Sequence, residues 1–393
     1  MQDRRQIARL HDMTKHVLHF RKERLADMIN YEDDIQYVCN LPLAWETIEH
    51  KTFLISGASG MIGSFLIHTL FRKSASIRVI AIGRNRERAR ERFGAYWDSG
   101  RFSFYAQDIN ESVHINEEVD YVIHAASNTH PAAYSGDPIG TILTGITGTK
   151  HMLDIAAEKK AERFVFMSSV EIYGENRGDT TYFSEDYCGY IDCNTLRAGY
   201  PEGKRAGEAL CQAYRKQRNV DVVTGRLPRV YGPSMLWSDT KAISQFIKKG
   251  AQREDIVLKS RGDQLYSYCY VADAAAALLT ILLKGTDGEA YNIADRGSDI
   301  TLRELAQFIA GHAGVTVRFE LPDAAERAGY STATTALLNS EKIRALGWSA
   351  HWDIRRGVAR TIDCLAGEAQ SGGARVKAVE SKTGSEPEKA AGI

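Results

Sequence analysis

Thr52-Phe53-Leu54-Ile55-Ser56-Gly57-Ala58-Ser59-Gly60-Met61-Ile62-Gly63 decides how the rest of the chain is read. A strand-like apolar run passes into Gly-x-x-Gly-x-x-Gly and then into a helix. Gly57 permits a tight turn at the strand end, Gly60 lets backbone approach a phosphate, and Gly63 lets the helix pack close to the sheet. The helix then presents unpaired N–H groups and its positive dipole end. Together these features describe a dinucleotide cradle formed by Gly57, Ser59, Gly60, Met61, Ile62 and Gly63. Glycines at this spacing also serve ordinary turns, so the stretch gains its weight from a second signature.

That signature is Tyr200-Pro201-Glu202-Gly203-Lys204. Tyr-x-x-x-Lys sets a phenol and an ammonium on neighbouring turns of one helix. A nearby cation favours the phenolate, so Tyr200 can take a proton from a substrate hydroxyl as hydride leaves the same carbon. Upstream, Phe164-Val165-Phe166-Met167-Ser168-Ser169 has the pattern of a buried strand ending in two hydroxyls. Ser169 then sits at the carboxyl end of a parallel strand, where doubly wound sheets bind ligands.

Further landmarks follow in order: Asp108-Ile109, His124-Ala125-Ala126-Ser127, Tyr173-Gly174, Val230-Tyr231-Gly232-Pro233, Tyr270-Val271-Ala272-Asp273 and Leu346-Gly347-Trp348. From about Lys51 to about Leu365 the chain resembles an extended short-chain dehydrogenase/reductase of the NAD-dependent sugar epimerase/dehydratase family. The resemblance implies an α/β fold, a doubly wound Rossmann-type parallel sheet with a smaller mixed α/β substrate lobe. It implies Ser169 as the residue polarising the reacting hydroxyl, Tyr200 as its base and Lys204 as ribose anchor. Ile109, Ala125, Ala126 and Ser127 are implied to line the cofactor, and Ser127 and Asn128 to face the substrate. Dimerisation through the long helices after Ile139 and Tyr200 is a family expectation.

The cofactor type is open on the residues alone. An acidic side chain at the end of the second strand would hold a ribose hydroxyl of NAD, but the strand ends Ile82-Gly83-Arg84-Asn85. Arg84 can meet the extra phosphate of NADP, or stack on adenine while Asn85 bonds the ribose. Asp108 either bonds the adenine edge or caps a turn. The family favours NAD, because its members recycle their own hydride, and NADP stays open.

Glu171, between Ser169 and Tyr173, bears on reaction type. The nucleotide-sugar dehydratases and the decarboxylating members resemble this chain in having glutamate there. Oxidising a ring hydroxyl acidifies the neighbouring C–H, and a carboxylate can take that proton as a general base. An enolate then expels a β-hydroxyl. The hexose dehydratases place an aspartate just before this glutamate, and here it is Val170. Family members that grip a nucleotide diphosphate have Asn where Arg229 stands, Arg where Tyr266 stands, and a further arginine near Thr334-Thr335. Without these guanidinium contacts the diphosphate grip is weakened, with Arg229 restoring part of it. Gly145 likewise replaces the family's asparagine in the central helix.

These readings lead to an expected dehydratase of the sugar of a nucleoside or nucleotide sugar, with Ser169, Glu171, Tyr200 and Lys204 catalytic and Arg229 and Tyr266 toward the substrate. An epimerase using the same transient ketone is the alternative, and a non-catalytic dinucleotide sensor is an alternative of another class.

The chain has 393 residues, with 50 Lys plus Arg against 50 Asp plus Glu. That balance calls for neither nucleic acid nor a membrane surface as partner. Its six cysteines show no metal-ligand spacing, so no metal is expected, and they read as reduced thiols of a cytoplasmic protein. Residues 1–50 carry helical periodicity and predict a helical extension. Residues 51–230, returning at about 266–294, are expected to form the dinucleotide domain, 231–265 and 295–366 the substrate lobe, and 367–393 a disordered tail.

Overall fold

The computed structural model describes residues 31–129, 136–320 and 334–366. The expectations for residues 1–30 and for the tail after 366 lie outside the described residues.

The first half alternates strand and helix. After α1 (Glu32–Cys39) come β1 (Thr52–Ser56), α2 (Met61–Lys73), β2 (Arg78–Gly83), α3 (Arg86–Phe93), β3 (Phe102–Ala106) and β4 (Tyr121–His124). Then follow α4 (Pro138–Leu143), α5 (Thr149–Lys159), β5 (Arg163–Ser169), α6 (Gly199–Arg218) and β6 (Val222–Leu227). All five residues of β1 and all four of β4 are buried. Such continuous apolar strands belong in a parallel sheet covered on both faces. Beyond β6 the elements are β7 (Arg229–Tyr231), α7 (Ala242–Ala251), β8 (Ile256–Leu258), β9 (Leu265–Tyr270), α8 (Val271–Lys284) and β10 (Ala290–Asn292).

The sheet runs β3-β2-β1-β4-β5-β6-β10, with seven strands, all parallel. The order reverses between β1 and β4, which opens a crevice at their carboxyl ends. Of the segment expected to return to this sheet, only β10 pairs into it. The strand β9 instead centres a second sheet, parallel to β7 in the register Arg229↔Tyr268, Val230↔Cys269 and Tyr231↔Tyr270, and antiparallel to Asp299–Thr301. Helix α8 is buried almost throughout because its run of Ala and Leu leaves no polar face.

Helix α1 packs on this body through a buried ionic contact. Asp34 accepts from the Tyr270 hydroxyl at 2.7 Å and pairs with Arg360 at 2.7 Å. Tyr37 stacks on His351 at a centroid distance of 4.6 Å. The central helix is broken in register: between α4 and α5 the residues Thr144–Gly148 form a π turn. There Gly145 lies so close to α6 that a Cβ on it would stand 2.7 Å from the Gly203 backbone.

Candidate active site

The loop after β1 is shaped by glycine. Gly57 has φ +66°, and a Cβ on it would lie 2.7 Å from the backbone of Ala125 and Ala126. A Cβ on Gly63 would lie 2.6 Å from the Gly57 carbonyl oxygen. Gly60 caps α2 without any side-chain hydrogen bond to the first turn, so the helix start keeps its donors for an anion. Across the crevice, the Ser56 hydroxyl and His124 Nδ1 lie 2.7 Å apart, and His124 Nε2 lies 3.1 Å from the Thr149 hydroxyl. Burial pushes this imidazole down to about 3, keeping it neutral. The chain of contacts ties β1, β4 and α5 together and places Ala125 and Ala126 against Gly57.

One cavity of about 1120 Å³ begins at this loop. All the residues named from the sequence line it: the glycine loop, Arg84, Asn85, Asp108, Ile109, the segment Ala125 to Asn128, Ser169, Glu171, Tyr200, Lys204, Arg229 and Tyr266. A tight loop whose glycines let the backbone pack without side chains, beside an uncapped helix start, fits a dinucleotide pyrophosphate.

At the far end of β2, the Asn85 side chain accepts from the Arg88 backbone N–H at 2.8 Å and caps α3. Asp108 accepts from the Asn110 N–H at 2.9 Å and lies 3.8 Å from Arg84. Asp108 is therefore a turn cap whose second oxygen faces the Arg84 guanidinium. Arg88 also lines this end; the sequence reading passed over it because it falls inside a charged helix.

Toward the middle of the cavity β5 ends at Ser169 and α6 opens at Gly199. Tyr200 is hydrogen-bonded to Ser169. Burial, with the charge of Glu171, pushes the Tyr200 phenol up to about 12 against the opposing effects of Ser169 and Arg197. Lys204 donates to the Met167 carbonyl at 2.7 Å, and burial brings its ammonium down to about 8. The Ser168 hydroxyl is buried without a hydrogen-bond partner.

Glu171 stands between two arginines, 2.8 Å from Arg197 and 3.3 Å from Arg229. Burial raises its proton affinity, but the two guanidinium charges outweigh burial and hold the carboxyl below its ordinary value. Glu171 is thus ionised, as a base must be, and weakened as one. The Arg229 guanidinium carbon lies 3.5 Å from the Tyr266 ring centroid, and its Nη1 is buried without a hydrogen-bond partner. Arg197 was not legible in advance, because it lies in a short 3₁₀ turn, Leu196–Ala198, with no motif of its own. Further along, Lys241 and Lys259 line the wall beside Gln264 and Tyr268. Lys241 is paired there with Asp239 at 2.8 Å, which offsets its charge. Among the described residues, no cluster of His, Cys, Asp and Glu is placed to hold a metal ion.

The sequence profile of the NAD dependent epimerase/dehydratase family matches residues 53–294. The chain belongs to that family. It is accordingly an NAD-dependent enzyme with a Rossmann-type fold. It is 29% identical over 318 residues to UDP-glucuronic acid decarboxylase 1 of Xenopus tropicalis, covering 80% of this chain and 72% of that protein. It is 31% identical over 256 residues to UDP-glucuronic acid decarboxylase 3 of Arabidopsis thaliana, covering 65% of this chain and 72% of the relative. Among solved structures it resembles the dTDP-glucose 4,6-dehydratase of Streptomyces venezuelae, determined with NAD bound. That match has a TM-score of 0.69 at 23% identity, over 81% of this chain and 98% of that one. The UDP-glucuronic acid 4-epimerase of Bacillus cereus, in complex with UDP-glucuronic acid and NAD, matches with a TM-score of 0.68 at 21% identity, over 81% and 99%.

Proposed function

We propose that this epimerase/dehydratase family member is a dehydratase acting on the sugar of a nucleotide sugar, through transient oxidation of a ring hydroxyl. The observation that carries the reading is the placing of an ionised Glu171 within electrostatic reach of the Ser169–Tyr200 pair. The substrates for which the relatives are named favour a nucleotide sugar over a free nucleoside, and Lys259 on the cavity wall adds a cation for its diphosphate.

The Gly57–Gly63 loop at the start of α2 would hold NAD, which when bound would supply the acceptor and donor of hydride for the ring carbon. Ser169 orients the reacting hydroxyl. Tyr200 receives its proton, which at neutral pH requires the phenol to be made more acidic than in the empty site. Lys204 has its charge at the base of α6 to assist. Glu171 removes the proton from the carbon beside the new ketone. The neighbouring hydroxyl leaves as water, its proton coming from a solvent molecule, since Val170 carries no acid.

The relatives named decarboxylases and epimerases keep a second reading in view, in which the same ketone is epimerised. Mass spectrometry of products from a panel of nucleosides and nucleotide sugars, incubated without added reductant, separates them. Loss of water supports elimination; an unchanged mass with altered retention means epimerisation. A need for stoichiometric reductant overturns both.

The protein is proposed to act in the cytoplasm, where its six free cysteines stay reduced. It is proposed to pair with a second copy through the exposed apolar side chains of Ile139, Leu143, Ile146 and Leu196 around α4 and the start of α6. Among the described residues, no helix is long and apolar enough to cross a membrane.

A further inference from the structure

The segment from Gly232 to Lys241, between β7 and α7, belongs to no strand or helix. Its residues Leu236, Ser238, Asp239, Thr240 and Lys241 nevertheless wall the same cavity as the glycine loop and Glu171. Without a ladder of backbone hydrogen bonds, side chains must hold such a segment in place. One end is held by α7. Lys248 donates to the carbonyls of Trp237 and Asp239 at 2.8 and 2.6 Å, and Gln245 donates to that of Asp239 at 2.6 Å.

The other end is held from the dinucleotide side. The Arg92 guanidinium on α3 donates from Nη2 to the Ser234 carbonyl at 2.8 Å, and from Nη1 to the Ser64 hydroxyl on α2 at 2.7 Å. The Ser64 and Ser234 hydroxyls both donate to the Met61 carbonyl, at 3.1 and 3.3 Å. The contacts close a ring, from Arg92 through Ser64 and Met61 to Ser234 and back, and both serines are buried. The rigid fork of a guanidinium suits a place where two acceptors on different elements must be met together, and a lysine has no such fork. Arg92 is not among the residues that line the cavity.

This ring is built on a helix turn that lacks its own cap. Met61 is the first residue of α2, and Gly60 before it makes no side-chain hydrogen bond to the turn. The N–H groups there await an anion. A helix end without a cap opens at low cost, and when this one opens the Met61 carbonyl is lost as the anchor of Ser234. An anion on the N–H groups holds the turn, and the anchor with it.

We infer that Arg92 is a positioning residue that couples the dinucleotide to the opposite wall of the cavity. Pyrophosphate at the start of α2 fixes the first turn, and Arg92 with Ser234 passes that order to residues 234–241. The sugar substrate then meets a finished wall only when the dinucleotide is in place. The coupling is reciprocal, so a ligand that packs against the ordered segment tightens dinucleotide binding by the same factor.

The test is amide hydrogen exchange, read peptide by peptide by mass spectrometry, on the full-length protein stripped of cofactor and then reloaded with NAD. In the wild type, NAD is expected to slow exchange both at the start of α2 and across residues 234–241, by about tenfold, within the usual range of coupling between sites. In Arg92→Met the slowing at α2 should remain and that at 234–241 should disappear, and Arg92→Lys should keep part of it. Slowing at α2 alone in the wild type, or at neither place, overturns the inference whether or not the variants fold. Slowing at 234–241 in Arg92→Met equal to that of the wild type also overturns it, because the dinucleotide then orders the segment by direct contact. If Arg92→Met does not fold, Ser234→Ala decides, since it removes one bond of the ring: undiminished slowing at 234–241 overturns the inference, and partial loss supports it. No sugar enters the experiment, so the dehydratase reading stands or falls separately.

Discussion

Arg197 donates to Glu171 at 2.8 Å across 26 residues of chain, joining the turn after β5 to the turn before α6. This contact sets the strength of the proposed base. Because Arg197 and Arg229 together hold the Glu171 carboxyl below its ordinary value against burial, activity that needs the carboxylate should persist into acid and fall only below the usual carboxylate range. In Arg197→Gln the acidic limb of the kcat/KM profile should move to higher pH. An unmoved limb would show that Glu171 does not titrate in the reaction. Glu171→Gln should abolish product formation while a single hydride transfer to bound NAD remains visible by absorbance.

Tyr200→Phe removes the hydroxyl's proton acceptor and leaves the fold intact. Turnover should drop about 10²–10⁴-fold, the usual range for losing a general base. Dinucleotide affinity, measured by fluorescence titration, should change little.

Lys204 titrates near 8 in the cofactor-free protein because it is buried, whereas in the unfolded chain it titrates near the ordinary value of about 10.4. The unfolded state therefore binds more protons between those two values, and the cost of burying the ammonium is relieved as pH rises. Below pH 8 the full cost is present. Denaturant midpoints of the wild type and Lys204→Met, compared without cofactor, should show the wild type gaining on the variant from pH 8 toward 10. A constant difference across that window would refute the assignment.

Gly57→Ala meets two obstacles, a left-handed backbone and a Cβ 2.7 Å from Ala125. The conformational strain alone is on the order of 1–3 kcal/mol. A lowered Tm and weakened NAD binding should appear together, because the same turn serves both.

Gly145→Ala drives a Cβ into the backbone of Gly203, one residue before Lys204. Overpacking of this kind costs about 1–3 kcal/mol. Thermal unfolding should report the loss, and kcat should fall with it because α6 carries Tyr200 and Lys204.

The parts of the site that could be read in advance share one property. The glycines of 57 to 63 and the Tyr200–Lys204 pair each lie within one local element, where spacing alone dictates which groups face together. Ser169 was legible for a similar reason, since an apolar strand that ends in hydroxyls marks its own carboxyl end. Glu171, Arg229 and Tyr266 were each named from the sequence, but Arg197 and the meeting of the four were not legible, because they come from a turn after β5, a turn before α6, and the paired strands β7 and β9. Asp108 was read as either an adenine contact or a turn cap, and Asn85 as a ribose contact; local hydrogen bonds engage both side chains in capping.

The amino-acid sequence by itself determined a dinucleotide loop and a Tyr–Lys helix, because these follow from short local spacings, and the order of its motifs carried the family resemblance that implied a doubly wound parallel sheet. Tertiary structure alone decided the charge around Glu171, the seat of Arg229 on Tyr266, and the close meeting of Gly145 with Gly203. Those depend on strand register and helix approach, and electrostatics acts through space across separations that the order of residues does not record.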